Sequence, residues 1–190
     1  MQAAPNIKLI VGLGNPGQRY EKTRHNTGFW VGYALAKKYN TTFKHETKFH
    51  GLVSILAHSC KLLLPTTFMN LSGIAVRSIS NFYKIPVASI LVVHDEIDFA
   101  PGTVRLKKNG GANGHNGVQN IIEHLGDNDF WRLRIGIGKP ACKEEVINYV
   151  LHAPSLLESK NIHAAIAQTI TIIPALFLGN FAQAMQILHS

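Results

Sequence analysis

A histidine that closely follows a glycine-rich loop is the strongest chemical signal in this sequence. The loop Gly12–Gly17 comes directly after the apolar run Ile7–Val11, and His25 lies ten residues after Asn15 of that loop. Imidazole is the side chain whose ordinary pKa allows it to accept a proton near neutral pH, so His25 is a candidate general base. One turn could present His25 and Asn15 to the same cleft, which favours hydrolysis over cofactor binding.

An acidic cluster follows the apolar run Ile90–Val93. In open α/β sheets the binding crevices lie beyond the carboxyl ends of strands. An aspartate at such a place can accept the N–H of a catalytic imidazole and fix its tautomer, which is one interpretation of Asp95. The alternatives are an acid that only begins a loop, or a magnesium site built from Asp95, Glu96 and Asp98.

Three asparagines lie in turns near predicted strand or helix ends: Asn15, Asn70 and Asn116. Asparagine at such places is usually a cap or turn residue. An amide also carries both donors and an acceptor, so it can bind a substrate carbonyl and position a water molecule. The set of three favours a role in substrate binding.

Cations alternate along two predicted strands, Arg105 with Lys107 and Arg132 with Arg134. Alternation places Arg105 and Lys107 on one face, where they could contact successive phosphates. The formal charge of +8 and a pI near 9.6 are consistent with a polyanionic partner such as nucleic acid. The alternative is a solvated face that serves only solubility.

Several patterns that can mark cofactor, metal or catalytic sites lack the sequence context that such sites need. The pattern GxGxxG at 12–17 predicts a dinucleotide site only if it opens into an apolar helix, and the segment 18–26 is polar. The histidines in 45–50 are five positions apart, too far to share a zinc ion on a helix, so this segment is predicted to be a solvated loop. Cys60 and Cys142 have no metal-binding spacing and no neighbouring histidine.

Short apolar runs alternate with helical patterns, which predicts a single α/β domain over residues 1–190 with a mixed, twisted β-sheet flanked by helices. At 46% apolar and 16% charged residues, the chain is predicted to fold around a core. The tail from about Leu156 is predicted to be a helix that packs near the site. A membrane anchor is the alternative, but polar residues and Pro174 interrupt its apolar run. No signal peptide is recognised, so the cytoplasm is expected.

The predicted strands and helices have the following bounds. The strands are Ile7–Val11, Gly51–Ala57, Lys61–Leu64, Ile90–Val93, Thr103–Leu106 and Leu133–Ile137. The helices are Thr27–Tyr39, Leu71–Tyr83, Val118–Leu125, Lys143–Tyr149 and the tail.

Six segments together resemble the bacterial-type peptidyl-tRNA hydrolase family. They are GLGNPG at 12–17, YEKTRHNTG at 20–28, FMNLSG at 68–73, HDEID at 94–98, GHNG at 114–117 and RLRIGIGKP at 132–140. They occur in the order of the family and span about residues 7–140. The resemblance implies an enzyme that cleaves the ester between a peptide and the 3′ ribose of tRNA. No metal or other cofactor is expected, because an activated ester needs only a positioned base and amide donors. A monomer is expected, because nothing in the sequence outside the tail suggests a large apolar patch.

The resemblance also implies a role for each matching residue. His25 is the base that deprotonates water, and Asp95 stabilises the form of His25 that accepts the proton. Asn15 distinguishes an N-blocked peptidyl group from a free aminoacyl group. Asn70 and Asn116 hold the substrate backbone and the attacking water, so Asn116 is both a catalytic and a substrate-binding residue. The remaining residues bind the substrate or tRNA: Tyr20, Phe68 and Met69 near the reacting end, and Arg105, Lys107 and Arg134 at the phosphates.

Two features depart from the family's pattern. Asparagines at 109 and 113 stand where its loop often has glycine or serine, and the last 30 residues lack charge. The main alternative function is a catalytically inert RNA-binding protein with the same fold. A nicotinamide-dependent reductase and a metal-dependent hydrolase are further alternatives.

Overall fold

A computed structural model describes residues 5–189 and contains one seven-stranded mixed sheet with the strand order β2-β3-β4-β1-β5-β7-β6. Strand β1 is parallel to β4 and β5, and β5 is parallel to β7. The remaining pairs, β2 with β3, β3 with β4 and β6 with β7, are antiparallel. The strands are β1 Leu9–Gly12, β2 Lys44–Glu46, β3 Gly51–Ile55, β4 Lys61–Pro65, β5 Ile90–Glu96, β6 Val104–Lys108 and β7 Trp131–Gly136.

In residues 5–189, six α-helices cover the two faces of this sheet. They are α1 Thr27–Lys38, α2 Ser72–Tyr83, α3 Asn116–Leu125, α4 Val146–Val150, α5 Leu156–Phe177 and α6 Phe181–His189. Helices α1, α5 and α6 share one apolar core with Ile10, Leu62 and Leu91, while α2 and α3 share the other with Leu9 and Val92. Because the central strands are buried on both faces, their sequences are continuous apolar runs rather than alternating ones.

The prediction of a mixed α/β sheet flanked by helices is confirmed, but the predicted loop at 45–50 is wrong in part. Lys44–Glu46 forms β2, an edge strand that pairs with β3 and is mostly exposed. It has no buried face, so no apolar alternation marks it in the sequence. Strand β5 is also longer than predicted, because its pairing with β7 continues to Glu96 and Gly136. Asp95 therefore lies within a strand rather than after it.

The uncharged tail forms two helices that pack into the core. The chain leaves α5 at Leu178 and turns at Gly179, whose φ is +75°, before α6 begins. The ring of Phe181 stacks on Trp131 of β7 at 3.8 Å between centroids, and Leu188 is buried. Among the described residues, no helix is long and apolar enough to cross a membrane. The prediction of a packed helix is therefore confirmed, with the correction that there are two helices.

Candidate active site

Two parallel neighbours, β1 and β5, bring the candidate catalytic residues to the same edge of the sheet. His25 lies in the short 3₁₀ turn Arg24–Asn26 that leads from the loop after β1 into α1. This turn can approach the sheet closely because Gly12 and Gly28 have no side chains. A Cβ on Gly28 would meet backbone atoms of Leu13 and Val93, and one on Gly12 would meet the carbonyl oxygen of Gly28. Of the glycines at 12, 14 and 17, only Gly17 has a positive φ, so close packing is the main role of the other two.

The centre of the site is a buried hydrogen-bonded group of two histidines and one aspartate. Nδ1 of His25 lies 2.9 Å from Oδ1 and 3.1 Å from Oδ2 of Asp95. Nε2 of His115 lies 3.0 Å from the same Oδ1. The Asp95 carboxylate is buried, so it accepts a bond from each imidazole with almost no access to solvent. With Nδ1 of His25 donating to Asp95, its Nε2 is the nitrogen that can accept a proton.

The tautomer of His115 follows from its second partner. Its Nδ1 accepts the backbone N–H of Val118 at 3.3 Å and thereby caps the N-terminus of α3. A backbone N–H can only donate, so this Nδ1 has no proton and Nε2 carries the hydrogen that is donated to Asp95. His115 therefore supports Asp95 as an N–H donor that a helix N-terminus holds in place.

The electrostatics of the group favour a proton on His25. Burial lowers the pKa of His25, but the charge of Asp95 and its hydrogen bond outweigh burial, so the pKa lies above its ordinary value. Burial acts to raise the pKa of Asp95, but interactions with His25 and His115 hold it well below its usual range. Next to them, burial and then His115 lower the pKa of His94 to about 3, so His94 stays neutral.

Asn15 is held so that its amide presents donors. Its backbone N–H donates to Oδ1 of Asn26 at 2.8 Å, and Nδ2 of Asn26 donates to the Asn15 carbonyl at 2.9 Å. The side-chain Oδ1 of Asn15 accepts the backbone N–H of Met69 at 2.8 Å. Because Oδ1 is used in this way, the NH₂ group of Asn15 is the part available to a ligand.

A cavity of about 770 Å³ opens over these residues. Its lining includes an apolar wall formed mainly by Val146, Ile147, Val150 and Leu151 in and after α4, together with Asn15, His25, Phe68, Met69, Asn70, Asp95, His115 and Asn116. Within residues 5–189, the side-chain amides of Asn70 and Asn116 make no hydrogen bond. The remaining predicted residue, Tyr20, is not among the lining residues but packs edge-to-face on Phe68 with centroids 6.3 Å apart.

The predicted cationic face lies on the edge of the sheet formed by β6 and β7. Arg105 is opposite Arg134 and Lys107 is opposite Arg132 in the antiparallel register, and both β6 cations are exposed. A second cavity, of about 400 Å³, contains Lys107, Arg132 and Arg134. Arg132 is buried and donates to the carbonyls of Gly110 and Gly111, so it holds the loop rather than facing solvent.

The alternative of a magnesium site at Asp95, Glu96 and Asp98 is wrong. Successive residues of a strand point to opposite faces, and Glu96 pairs with Arg134 at 2.8 Å while Asp98 accepts a bond from Asn113 at 2.7 Å. Within the described chain, the group with metal-binding geometry is His25, Asp95 and His115. Two nitrogens and one oxygen suit zinc better than magnesium, and an ion there would displace the bonds that orient His25.

Sequence reasoning missed three residues of this site. Asn26 and His115 lie in the same short segments as His25 and Asn116. Their hydrogen-bond partners, Asn15 and Asp95, are 11 and 20 positions away in the sequence. Arg24 has partners more than 120 positions away in α4 and α5. Burial raises the pKa of the Cys60 thiol to about 12, so this thiol stays protonated at neutral pH.

Comparisons with known proteins agree with this geometry. A family model described as peptidyl-tRNA hydrolase matches residues 9–190. A peptidyl-tRNA hydrolase of Coxiella burnetii is 50% identical over 184 residues, which are 97% of this chain and 98% of the relative. One of Methylobacillus flagellatus is 51% identical over 186 residues and 97% of each chain. The crystal structure of peptidyl-tRNA hydrolase from Acinetobacter baumannii superposes with a TM-score of 0.94 at 46% identity, over 97% of this chain and 95% of that chain.

Proposed function

Because the chain belongs to the peptidyl-tRNA hydrolase family, we propose that it hydrolyses peptidyl-tRNA with His25 as the general base. The bond cleaved is the ester between the peptide and the 3′ ribose of tRNA. The single observation that carries this assignment of the base is the buried pair of His25 and Asp95 at the cavity, with Nδ1 and Oδ1 2.9 Å apart.

In the proposed reaction, Nε2 of His25 takes a proton from a water molecule as the water oxygen bonds to the ester carbonyl carbon. The resulting imidazolium is stabilised by the negative charge of Asp95, which His115 holds in place. The bond from the carbonyl carbon to the ribose oxygen then breaks, and the proton on His25 passes to that oxygen. The step needs no cofactor, because an ester is activated enough for a water molecule that a positioned base deprotonates.

Asn70 and Asn116 supply amides for the substrate and the attacking water. Both line the cavity, and their NH₂ groups are donors for the oxygen that becomes negative in the transition state. Because donors aimed at developing charge act more strongly in a partly buried site than in water, these amides are expected to contribute to the rate.

Asn15 distinguishes N-blocked from unblocked substrates. Its available NH₂ group can donate to the carbonyl of a blocked amino group. A free α-ammonium offers only donors to that NH₂ group, so it cannot form the bond and brings a positive charge into a partly buried site. A free aminoacyl-tRNA is therefore expected to be a poor substrate.

The tRNA is held by stacking groups and cations. Phe68 lines the channel near the terminal nucleotide, with Tyr20 packed edge-to-face against it, and the backbone N–H of Met69 holds Asn15 in place. Arg105, Lys107 and Arg134 bind phosphates along the edge formed by β6 and β7. Contacts to phosphates carry little sequence information, which suits an enzyme whose substrates include many tRNAs.

We further propose that residues 1–190 act as one catalytic domain, as a monomer in the cytoplasm. The location follows from the substrate class, and the monomer from the packing of the apolar tail into the core.

The test compares N-acetyl-aminoacyl-tRNA with unblocked aminoacyl-tRNA, for the wild-type protein and His25→Ala, with chelator present. We expect cleavage of the blocked substrate alone and a loss of about 10²- to 10⁴-fold in turnover in the variant, with tRNA binding retained. If the wild-type protein binds tRNA but cleaves neither substrate, the chain is instead an inert RNA-binding protein.

A further inference from the structure

Arg24, the residue before His25, is a buried cation that takes no part in the proposed reaction. Its Nη1 donates to the carbonyl oxygens of Tyr149 and His152 at 3.2 and 3.3 Å, and its backbone N–H donates to His152 at 3.1 Å. Its Nη2 pairs with Glu158 at 2.9 Å, and its guanidinium lies 4.0 Å from the centre of the Tyr149 ring. All of these partners lie in or next to α4 and at the start of α5.

These contacts hold the outer side of α4, whose inner side is the apolar wall of the cavity. Val146, Ile147 and Val150 of α4 line the cavity, whereas Tyr149 faces Arg24. Helix α4 has only five residues, and so short a helix is not stable without tertiary contacts. Both carbonyls lie at the C-terminal end of α4: Tyr149 is in its last turn and also accepts the backbone N–H of His152 at 3.3 Å, and His152 lies two residues after the helix.

Further hydrogen bonds join the same cluster to the rest of the fold. The hydroxyl of Tyr149 donates to the carbonyl of Ile137, just after β7, at 2.8 Å. Glu158 forms a capping box with Ser155 at the N-terminus of α5. The wall of the cavity is therefore fixed relative to both the sheet and the turn that carries His25.

We propose that Arg24 is a positioning residue that fixes the distance between the α4 wall and His25, and thereby determines how tightly the acyl part of the substrate is held against the base. The inference rests on the proposed function. The wall is apolar and lines the same cavity as His25 and the amides, so it suits the acyl group rather than the phosphates. Displacing the wall therefore lowers kcat/KM most for the substrates whose acyl groups have the largest apolar surface.

A purely structural role makes a different prediction. An arginine that only stabilises the fold lowers the amount of active protein, and the loss is then the same factor for every substrate. A positioning role gives a loss that depends on the acyl group. The dependence on substrate therefore separates the two roles.

The experiment uses Arg24→Lys in the full chain, because lysine keeps the charge but cannot make the forked set of bonds. The substrates are N-acetyl-glycyl-tRNA and the same tRNA carrying an N-acetylated tripeptide of leucines. We expect kcat/KM for the tripeptide substrate to fall about tenfold more than for the glycyl substrate, with an unchanged dissociation constant for uncharged tRNA. Arg77→Lys, at an exposed arginine of α2, is the matched control.

A second variant keeps the test decisive if Arg24→Lys does not fold. Tyr149→Phe leaves the ring under the guanidinium and removes only the hydroxyl bonds, so a smaller loss with the same dependence on the acyl group is expected. Equal losses for both substrates in the folded variant overturn the positioning role and leave the proposed function intact. Failure of the wild-type protein to cleave either substrate overturns the proposed function and this inference with it.

Discussion

Replacing Asp95 with asparagine should remove the charge that stabilises protonated His25 while leaving the volume of the side chain nearly unchanged. The carboxylate oxygens lie 2.9 and 3.1 Å from Nδ1 of His25, and the Asp95 side chain is 2% exposed. For charge centres about 4 Å apart at an effective dielectric constant of about 20, the lost attraction is about 4 kcal/mol. Since about 1.4 kcal/mol corresponds to a factor of ten in rate, kcat should fall about 10³-fold.

The same substitution should shift the pH dependence. His25 must be deprotonated to act, so hydrolysis by the wild-type protein should fall as the pH drops through its raised pKa. In Asp95→Asn, burial still lowers the pKa of His25 and the opposing charge is gone. The acid limb of the profile should therefore move to lower pH even though the maximal rate is smaller.

The assay is hydrolysis of N-acetyl-aminoacyl-tRNA at saturating substrate over a range of pH, in chelator. Asp127→Asn, at an exposed loop aspartate, is the control and should match the wild-type protein. A loss of less than about tenfold in Asp95→Asn would mean that the charge contributes less than about 1.4 kcal/mol to the transition state. Such a result, or an acid limb that stays in place, would refute the reasoning.

Three further changes test other parts of the molecule. Replacing both Arg105 and Lys107 with alanine should reduce the slope of log K against log salt for tRNA binding by about 0.7 to 0.9 per lost contact; an unchanged slope would make them solvated cations only. Gly28→Ala should lower the free energy of unfolding by about 2 kcal/mol or more in a denaturant titration, since its Cβ meets backbone that cannot move aside; wild-type stability would contradict that packing. His115→Ala should lower the free energy of unfolding by about 1 kcal/mol through loss of the helix cap. This substitution should also move the acid limb of the pH profile to higher pH, because the Asp95 carboxylate then loses the N–H of His115 and interacts more strongly with His25. An acid limb that stays in place would mean that His115 serves only as a helix cap.

The sequence predicts most of the sheet because burial on both faces leaves a clear mark. The central strands β1, β4 and β5 each contain a run of apolar residues, and the predicted bounds agree with the observed ones to within about three residues. The sequence does not predict strand β2, because β2 is an edge strand held mainly by backbone hydrogen bonds to β3. Any sequence can make such bonds. The sequence also does not predict the end of α5. The turn to α6 depends on the positive φ of Gly179, and glycine can adopt many other backbone conformations, so its presence alone does not mark a helix end.

The site was predictable where chemistry is local and unpredictable where it depends on distant partners. His25, Asp95 and Asn15 combine a reactive side chain with a nearby turn or strand end, and the structure brings all three to one cavity. Arg24 lies in a run of polar residues, which predicts an exposed segment, and only the folded structure shows that Arg24 is buried. The functions of the site residues stay predictions until the substitutions are made.

The long separation between Arg24 and its partners has a consequence for how the protein is made. Glu158 lies 134 positions after Arg24, and the backbone of Ile7 donates to Leu176 at 3.1 Å. A chain emerging from the ribosome exposes the segment with His25 early, but it cannot complete the surroundings of that residue before α5 has been synthesised. A newly made chain therefore completes the surroundings of His25 only after α5 has emerged and packed against them.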